Sequence, residues 1–165
     1  MLSYPTPSRS AALLLALVLS SAAAAEPRYD VLNLRKLGLW DAYALNNHGH
    51  VVGAAPESRL LWNGKTVTQL PLSADPVITD LNDSGALIGY RSYPFDGDRG
   101  FVFADGASAE IEGARVPTAI NNSGQITING FGNPARAVIY HDGAATDVGT
   151  LGGTLTGLSD INTAG

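Results

Sequence analysis

The sequence contains no cysteine among its 165 residues. An extracellular protein of this size could use disulfides, but this chain has to be stabilised by packing and by strand pairing. The absence of cysteine also excludes the lipid-anchored class of exported protein, which requires a cysteine at its cleavage site.

Charge is scarce as well. Charged residues make up 15% of the chain, the formal net charge is −5 at pH 7, and the longest basic run is Arg35-Lys36. Nucleic acids and anionic membranes select for basic patches. Neither is therefore expected as a partner, and no motif predicts a cofactor.

A long apolar run is also missing. The apolar stretch Ala11–Leu19 is far shorter than the ~20 residues that span a bilayer as a helix. It follows Arg9 and is followed by small residues ending in Ala23-x-Ala25, a pattern typical of a cleaved signal peptide rather than a retained anchor. We expect residues 1–25 to be a signal peptide and residues 26–165 to form a secreted or periplasmic β-repeat domain.

What the sequence does contain is a repeated Asn-x-x-Gly turn. It recurs at spacings of 36, 39 and 41 residues, in units that begin near residues 44, 80 and 119, with a truncated unit near 160. The residues of these predicted structural turns are Asn46, Gly49, Asn82, Gly85, Asn121, Gly124, Asn162 and Gly165.

The turn has a physical rationale. Asparagine hydrogen-bonds its own backbone and tolerates positive φ, and glycine adopts positive φ without steric cost. An apolar residue precedes each turn and is expected to point inward, and a short outgoing strand follows, which together indicate a hairpin. These apolar residues are Leu45, Leu81, Ile120 and Ile161.

A second signal recurs in each unit. Strands that end in an aromatic residue run into glycine turns at Leu60–Trp62, Phe101–Phe103 and Ala137–Tyr140, and a further strand-like stretch follows each turn. No stretch of the mature chain has helical periodicity with caps. About four short strands per unit predict an all-β fold of stacked four-stranded repeats resembling a β-propeller, with other stacked sheets or a sandwich as alternatives.

The two ends of the repeat array predict an incomplete ring. The segment from Tyr29 to Leu34 resembles the last strand of a unit, and Gly165 falls within the fourth turn. Three units with two loose ends do not close a ring of the usual ~4–8 blades. We therefore expect a piece of a longer protein with more repeats of its own chain, or assembly with other copies.

The stretches Asp147–Gly153 and Ser159–Asn162, followed by Gly165, together with Ala44–Gly53, resemble the HAF family of bacterial extracellular repeats. The resemblance weakens at Leu70–Asp80, which has no Gly-Gly. It implies export and a propeller-like fold, and it implies no reaction.

Several short motifs have a functional and a structural interpretation. His48-Gly-His50 has metal-like spacing but a third ligand is not nearby, and Asp96-Gly-Asp98 lacks the remaining oxygen ligands of a calcium loop. The sequons at Asn82 and Asn121 lie inside repeat turns, where both residue types serve the backbone.

Two further motifs are weaker. Gly149–Gly153 carries no Lys and opens no helix, so a phosphate cradle is not favoured. His141 has no serine partner at a recognisable spacing. No catalytic, cofactor-binding or metal-binding residue is predicted.

The sequence thus favours a non-catalytic scaffold or binding module for an extracellular protein or glycan. The alternative is an extracellular glycan-cleaving hydrolase or lyase in a propeller channel, using Asp80 and Asp160 at equivalent repeat positions. The units that carry Ala44 and Ala119 at this position argue against it.

The signal peptide gives a first testable prediction. Export from a bacterial host should yield a mature protein that begins at Glu26, because Ala23 and Ala25 fit the cleavage site. Intact-mass spectrometry of the exported protein measures this directly. A product that retains residues 1–25 would contradict the prediction.

Overall fold

The computed structural model describes residues 30–72, 76–150 and 152–165. The predicted signal peptide and Tyr29 lie outside these residues. One compact unit runs from Leu32 to Gly165. Within the described residues no helix is long and apolar enough to cross a membrane.

The fold is all-β, as predicted, and consists of three antiparallel four-stranded sheets. The only helix among the described residues is a single 3-10 turn, Leu34–Leu37. The strands are β1 (Asp41–Leu45), β2 (Val51–Ala55), β3 (Ser58–Trp62), β4 (Val67–Gln69), β5 (Val77–Leu81), β6 (Leu87–Tyr93), β7 (Gly97–Ala104), β8 (Ala107–Glu110), β9 (Val116–Ile120), β10 (Ile126–Phe131), β11 (Arg136–His141) and β12 (Ala144–Asp147).

Each predicted unit is one sheet whose strands pair in sequence order. The first unit is β1–β4, the second β5–β8 and the third β9–β12. The Asn-x-x-Gly turn joins the first strand to the second in every unit, and the last strand lies at the outer edge. These outer strands are only three or four residues long, which limits the exposed edge on which another chain could pair.

A β-bulge recurs in the first strand of every unit. The register shifts at Tyr43 in β1, at Thr79 in β5 and at Thr118 in β9. In the first two units a glycine of the second strand, Gly53 or Gly89, lies opposite the residue before the bulge. A bulge adds local twist, and here it is repeated at the same place in each sheet.

The hydrophobic core lies between units rather than within them. The first core joins Val52 and Leu70 of the first unit to apolar residues of β5, β6 and β7 in the second. The second core joins Ile88, Ile111 and Ala114 to residues of β9, β10 and β11 in the third. Since one sheet cannot bury its own faces, the units depend on each other for stability.

Two expectations about the first unit are wrong. Leu45 was expected to point inward but is 65% exposed, whereas Leu81 and Ile120 are 3% and 7% exposed. Each of the latter two packs in a core shared with the preceding unit, and the described residues contain no unit before the first. The strand expected before the first unit is also absent between residues 30 and 34, where irregular chain leads into the 3-10 turn.

The close approach at Gly89 gives a second prediction. A Cβ on Gly89 would overlap the carbonyl oxygen of Val77 on the paired strand, so the backbone would have to move. We expect Gly89→Ala to lower the free energy of unfolding by about 2–4 kcal/mol. Urea denaturation of the purified mature protein measures this.

The matched control is Gly157→Ala, because Gly157 has open space around its Cβ position and needs no left-handed backbone. It should change the unfolding free energy by less than about 0.5 kcal/mol. Equal stability of the two variants would show that the contact at Gly89 does not constrain the sheet.

Candidate functional site

The predicted turns form in all four places. The glycine amide of each turn donates to the carbonyl oxygen of its asparagine at 3.0–3.3 Å, and each of these glycines has φ between +74° and +93°. The asparagine Oδ1 accepts further backbone amides, for example from His48 and His50 in the first turn at 3.1 and 2.9 Å. One side-chain oxygen therefore closes each turn.

The same asparagines also join the units. Asn46 Nδ2 donates to the carbonyl oxygen of Asn82 at 3.1 Å. Asn82 Nδ2 donates in turn to Asn121 at 3.2 Å, and Asn121 Nδ2 donates to Asn162 at 2.9 Å. We call these four residues the asparagine ladder. Asn46, Asn82 and Asn121 are buried. Water therefore does not replace the hydrogen bonds that their side-chain amides donate.

A second, exposed ladder runs beside the first. Asp83 accepts both the backbone amide of Asn47, at 2.8 Å, and its side-chain amide, at 2.9 Å. Asn122 Nδ2 donates to the same carboxylate at 2.7 Å, and the Asp83 amide donates back to Asn122. The turns of three consecutive units are thus linked at the surface.

These hydrogen bonds, first those from Asn47 and then that from Asn122, hold the pKa of Asp83 below its ordinary value, and the charge of His48 acts in the same direction. A depressed pKa means that the folded state favours the ionised carboxyl. The contribution to stability is therefore present above the unfolded pKa and is lost as the pH falls through the folded pKa. Because the hydrogen bonds to Asp83 lie at the surface, the contribution is small.

Asp80 bridges two units in a similar way. Its Oδ1 accepts the amide of Leu81, and its Oδ2 accepts the amide of Ile120 in the next unit, both at 2.8 Å. The third unit has Ala119 at the position of Asp80. One aspartate therefore serves two units. In the fourth turn, Asp160 accepts the amide of Ile161 at 2.8 Å.

The four turns line one open groove of about 360 Å³. All four predicted turn asparagines border it, together with Asn47, Asp80, Asp83 and Asn122. The turn glycines do not line it. Most polar groups along the groove are already hydrogen-bonded to neighbouring turns. These hydrogen bonds join consecutive units.

The other motifs of the sequence lie apart. The rings of His48 and His50 are 5.7 Å apart, and His50 Nδ1 lies 3.3 Å from Asn46 Nδ2. The imidazole of His141 contacts the carbonyl oxygen of Ser123 in a neighbouring turn at 3.0 Å. Within the described ranges, no three potential metal ligands come together. Leu151 of the Gly149–Gly153 motif lies outside these ranges.

Both sequons fall on turn asparagines of the ladder. Asn82 and Asn121 are buried, and the amide nitrogen of each donates to the next unit. A glycan attached there would displace that hydrogen bond.

Sequence reasoning missed the tip of the second unit. β6 and β7 have seven and eight residues and form the longest hairpin among the described strands. At its tip, Phe95 is fully exposed and has φ of +75°. A bulky side chain in the left-handed region costs about 1–2 kcal/mol. The available signal was Phe95 itself, because the corresponding loops of the other units, 56–57 and 132–135, contain no aromatic residue.

A charged cleft of about 500 Å³ lies beside this tip. Asp96 and Glu110 both contact the guanidinium of Arg99, at 2.6 and 3.5 Å, and Asp98 accepts a hydrogen bond from Ser92 at 2.6 Å. Hydrogen bonding to Asp96 is the main reason that the pKa of Arg99 is raised. The guanidinium also lies 5.1 Å from the ring of Tyr93. We call Tyr93, Phe95 and this cleft the tip surface.

Comparisons of the chain with protein-family models, with curated proteins and with solved structures found no match. The resemblance to HAF repeats stays an expectation that rests on the residues quoted for it.

The ladder gives a third prediction. Asn82→Asp keeps the oxygen that closes the turn but removes the amide donor to Asn121 and buries a charge. We expect it to lower the free energy of unfolding by about 2–3 kcal/mol at neutral pH, measured by urea denaturation.

Asn63→Asp is the matched control. Asn63 also closes a turn with its Oδ1, accepting the amides of Lys65 and Thr66, but it is exposed and its carboxylate replacement keeps those bonds. It should change stability by less than about 0.5 kcal/mol. Similar effects of both substitutions would mean that the inter-unit bond adds nothing to the turn.

Proposed function

We propose that the protein is an exported repeat scaffold that presents a non-catalytic binding surface to an extracellular partner. The residues that recur in the units are used in closing turns and joining neighbours, as the asparagine ladder illustrates. Both carboxylate oxygens of Asp80, the residue on which a channel hydrolase would depend, accept backbone amides. This arrangement supports a structural role for the repeat.

We further propose a propeller-like arrangement in which each unit is one blade. The support is that β1 contacts β5 and β5 contacts β9, so that the first strands of consecutive units lie side by side. The short fourth strands form the outer edges, and the cores lie between faces of successive sheets.

The observation that carries the binding proposal is Phe95. It is fully exposed, and its backbone is in a conformation that costs free energy. No core contact compensates for that cost, and contact of the ring with a partner would do so.

The surroundings of Phe95 favour a protein partner over a glycan. Tyrosine and arginine are enriched at the energetic centres of protein interfaces, and Tyr93 and Arg99 lie together beside Phe95. The cleft is lined by four carboxylates and two guanidinium groups, from Asp96, Asp98, Glu110, Glu112, Arg99 and Arg115. Its excess of negative charge fits a segment with basic residues.

The fourth prediction tests this surface. The mature protein is screened against arrays of extracellular proteins and of glycans, and affinities for the partners found are measured by biolayer interferometry. Replacing both Tyr93 and Phe95 with alanine should weaken binding at least about tenfold, because interface aromatics are typical hot spots.

The control is Leu155→Ala, which removes an apolar side chain that is 91% exposed in a different part of the fold. It should leave affinity unchanged. The proposal fails if neither array shows binding at micromolar concentration, or if the tip variant binds as tightly as the unaltered protein.

A further inference from the structure

The first unit has an apolar face whose counterparts are buried in the other units. Leu45 is largely exposed, whereas Leu81 and Ile120 at the same turn position are buried. In the third strands, Leu60 is half-buried while Phe101 and Val138 at its register position are fully buried. We call the exposed apolar surface formed by Leu45 and Leu60 the open face.

One backbone amide at the open face corresponds to amides that are hydrogen-bonded to a side chain in the other two units. The amide of Asn46 donates to His50 on the neighbouring strand. Since amides alternate in direction along a strand, the amide of Leu45 points away from that strand, towards the free edge of the sheet. The corresponding amides of Leu81 and Ile120 both donate to Asp80. Ala44 has no side-chain oxygen that could serve Leu45.

Among the described residues, one carbonyl oxygen at the same place accepts fewer hydrogen bonds than its counterparts in the other two units. The carbonyl oxygens of Asn82 and Asn121 each accept two hydrogen bonds, one from the glycine of the turn and one from the ladder asparagine of the preceding unit. Within the part of the chain that the structure describes, the carbonyl oxygen of Asn46 accepts only the first of these, from Gly49.

We propose that the open face is an inter-unit interface, and that its occupant is a four-stranded unit of this same repeat with aspartate at the position of Asp80. Such a unit supplies a carboxylate for the amide of Leu45, a ladder asparagine for the carbonyl of Asn46, and an apolar face for Leu45 and Leu60. Continuity with the two interfaces already present between the units supports this occupant. The proposal concerns a different surface from the tip and does not depend on the ligand bound there.

The identity of the aspartate is what makes the proposal specific. An aspartate unit serves its own amide and that of the next unit, which then carries alanine, as Asp80 does for Ile120 beside Ala119. The first unit carries Ala44 and so requires an aspartate unit before it. The fourth turn carries both required groups, Asp160 and Asn162.

The test uses the full mature chain with one added unit. A second copy of residues 77–112, the aspartate unit, is fused ahead of Leu32, and amide hydrogen exchange is measured residue by residue. We expect exchange at Leu45 to slow at least about 100-fold relative to the unextended chain, because the amide becomes buried and hydrogen-bonded. Leu45→Asp, nearly neutral in the unextended chain, should lower the melting temperature of the extended chain by at least about 5 °C.

Two matched extensions test the role of the carboxylate. One carries alanine in place of the aspartate of the added unit, and the other uses a copy of residues 116–147, the alanine unit. With either extension, amide exchange at Leu45 should be at least about ten times faster than with the aspartate unit. As an internal control, an Asp105→Ala change in the turn of the added unit should leave protection of Leu45 unchanged.

Three results would overturn the proposal. The first is unchanged exchange at Leu45 in the extended chain, whether or not the added unit folds, because a unit that fits this face should order upon it. The second is equal protection by aspartate and alanine units, which would indicate an unspecific apolar cover. The third is protection of Leu45 already in the unextended mature protein at low concentration, which would identify its own N-terminal segment as the cover.

Discussion

The structure depends on one constraint, which is that the buried asparagine amide at each of the first three turns has to be satisfied by the next unit. The side-chain oxygen closes its own turn, and the side-chain nitrogen reaches the carbonyl of the following asparagine. A buried donor without an acceptor would cost about 1–3 kcal/mol. This sets the relative position of consecutive first strands, and the two cores then form between the faces that this position brings together.

The bonds between units and the proposed recognition surface are separated in space as a result. The asparagine ladder lies at the turns between the first and second strands, whereas the hairpin that carries Phe95 connects the second and third strands of its unit. Lengthening β6 and β7 leaves the bond between Asn82 and Asn121 in place. This hairpin can therefore change in length and composition without disturbing the packing on which the sheets depend.

The sequence predicted the unit, its four strands and the turn chemistry, because these follow from local residue types at fixed offsets. It did not predict that the asparagine nitrogens join neighbouring units, since a contact across 36–41 residues has no local signature. The inward placement of Leu45 was wrong for a related reason, because burial of that side chain requires a neighbour and not merely a pattern. The tip surface was missed because the exposure of Phe95 and its positive φ are properties of the folded hairpin.

The sharing of Asp80 between two units also limits how such a gene can gain further units by duplication. A unit that carries alanine borrows its carboxylate from the unit before it, so the two kinds of unit are not interchangeable. Duplication of a single alanine unit would place two of them side by side and leave one backbone amide without its acceptor. Expansion by tandem duplication should therefore copy an aspartate unit, either alone or together with its alanine unit as a doublet of about 80 residues, and not an alanine unit alone.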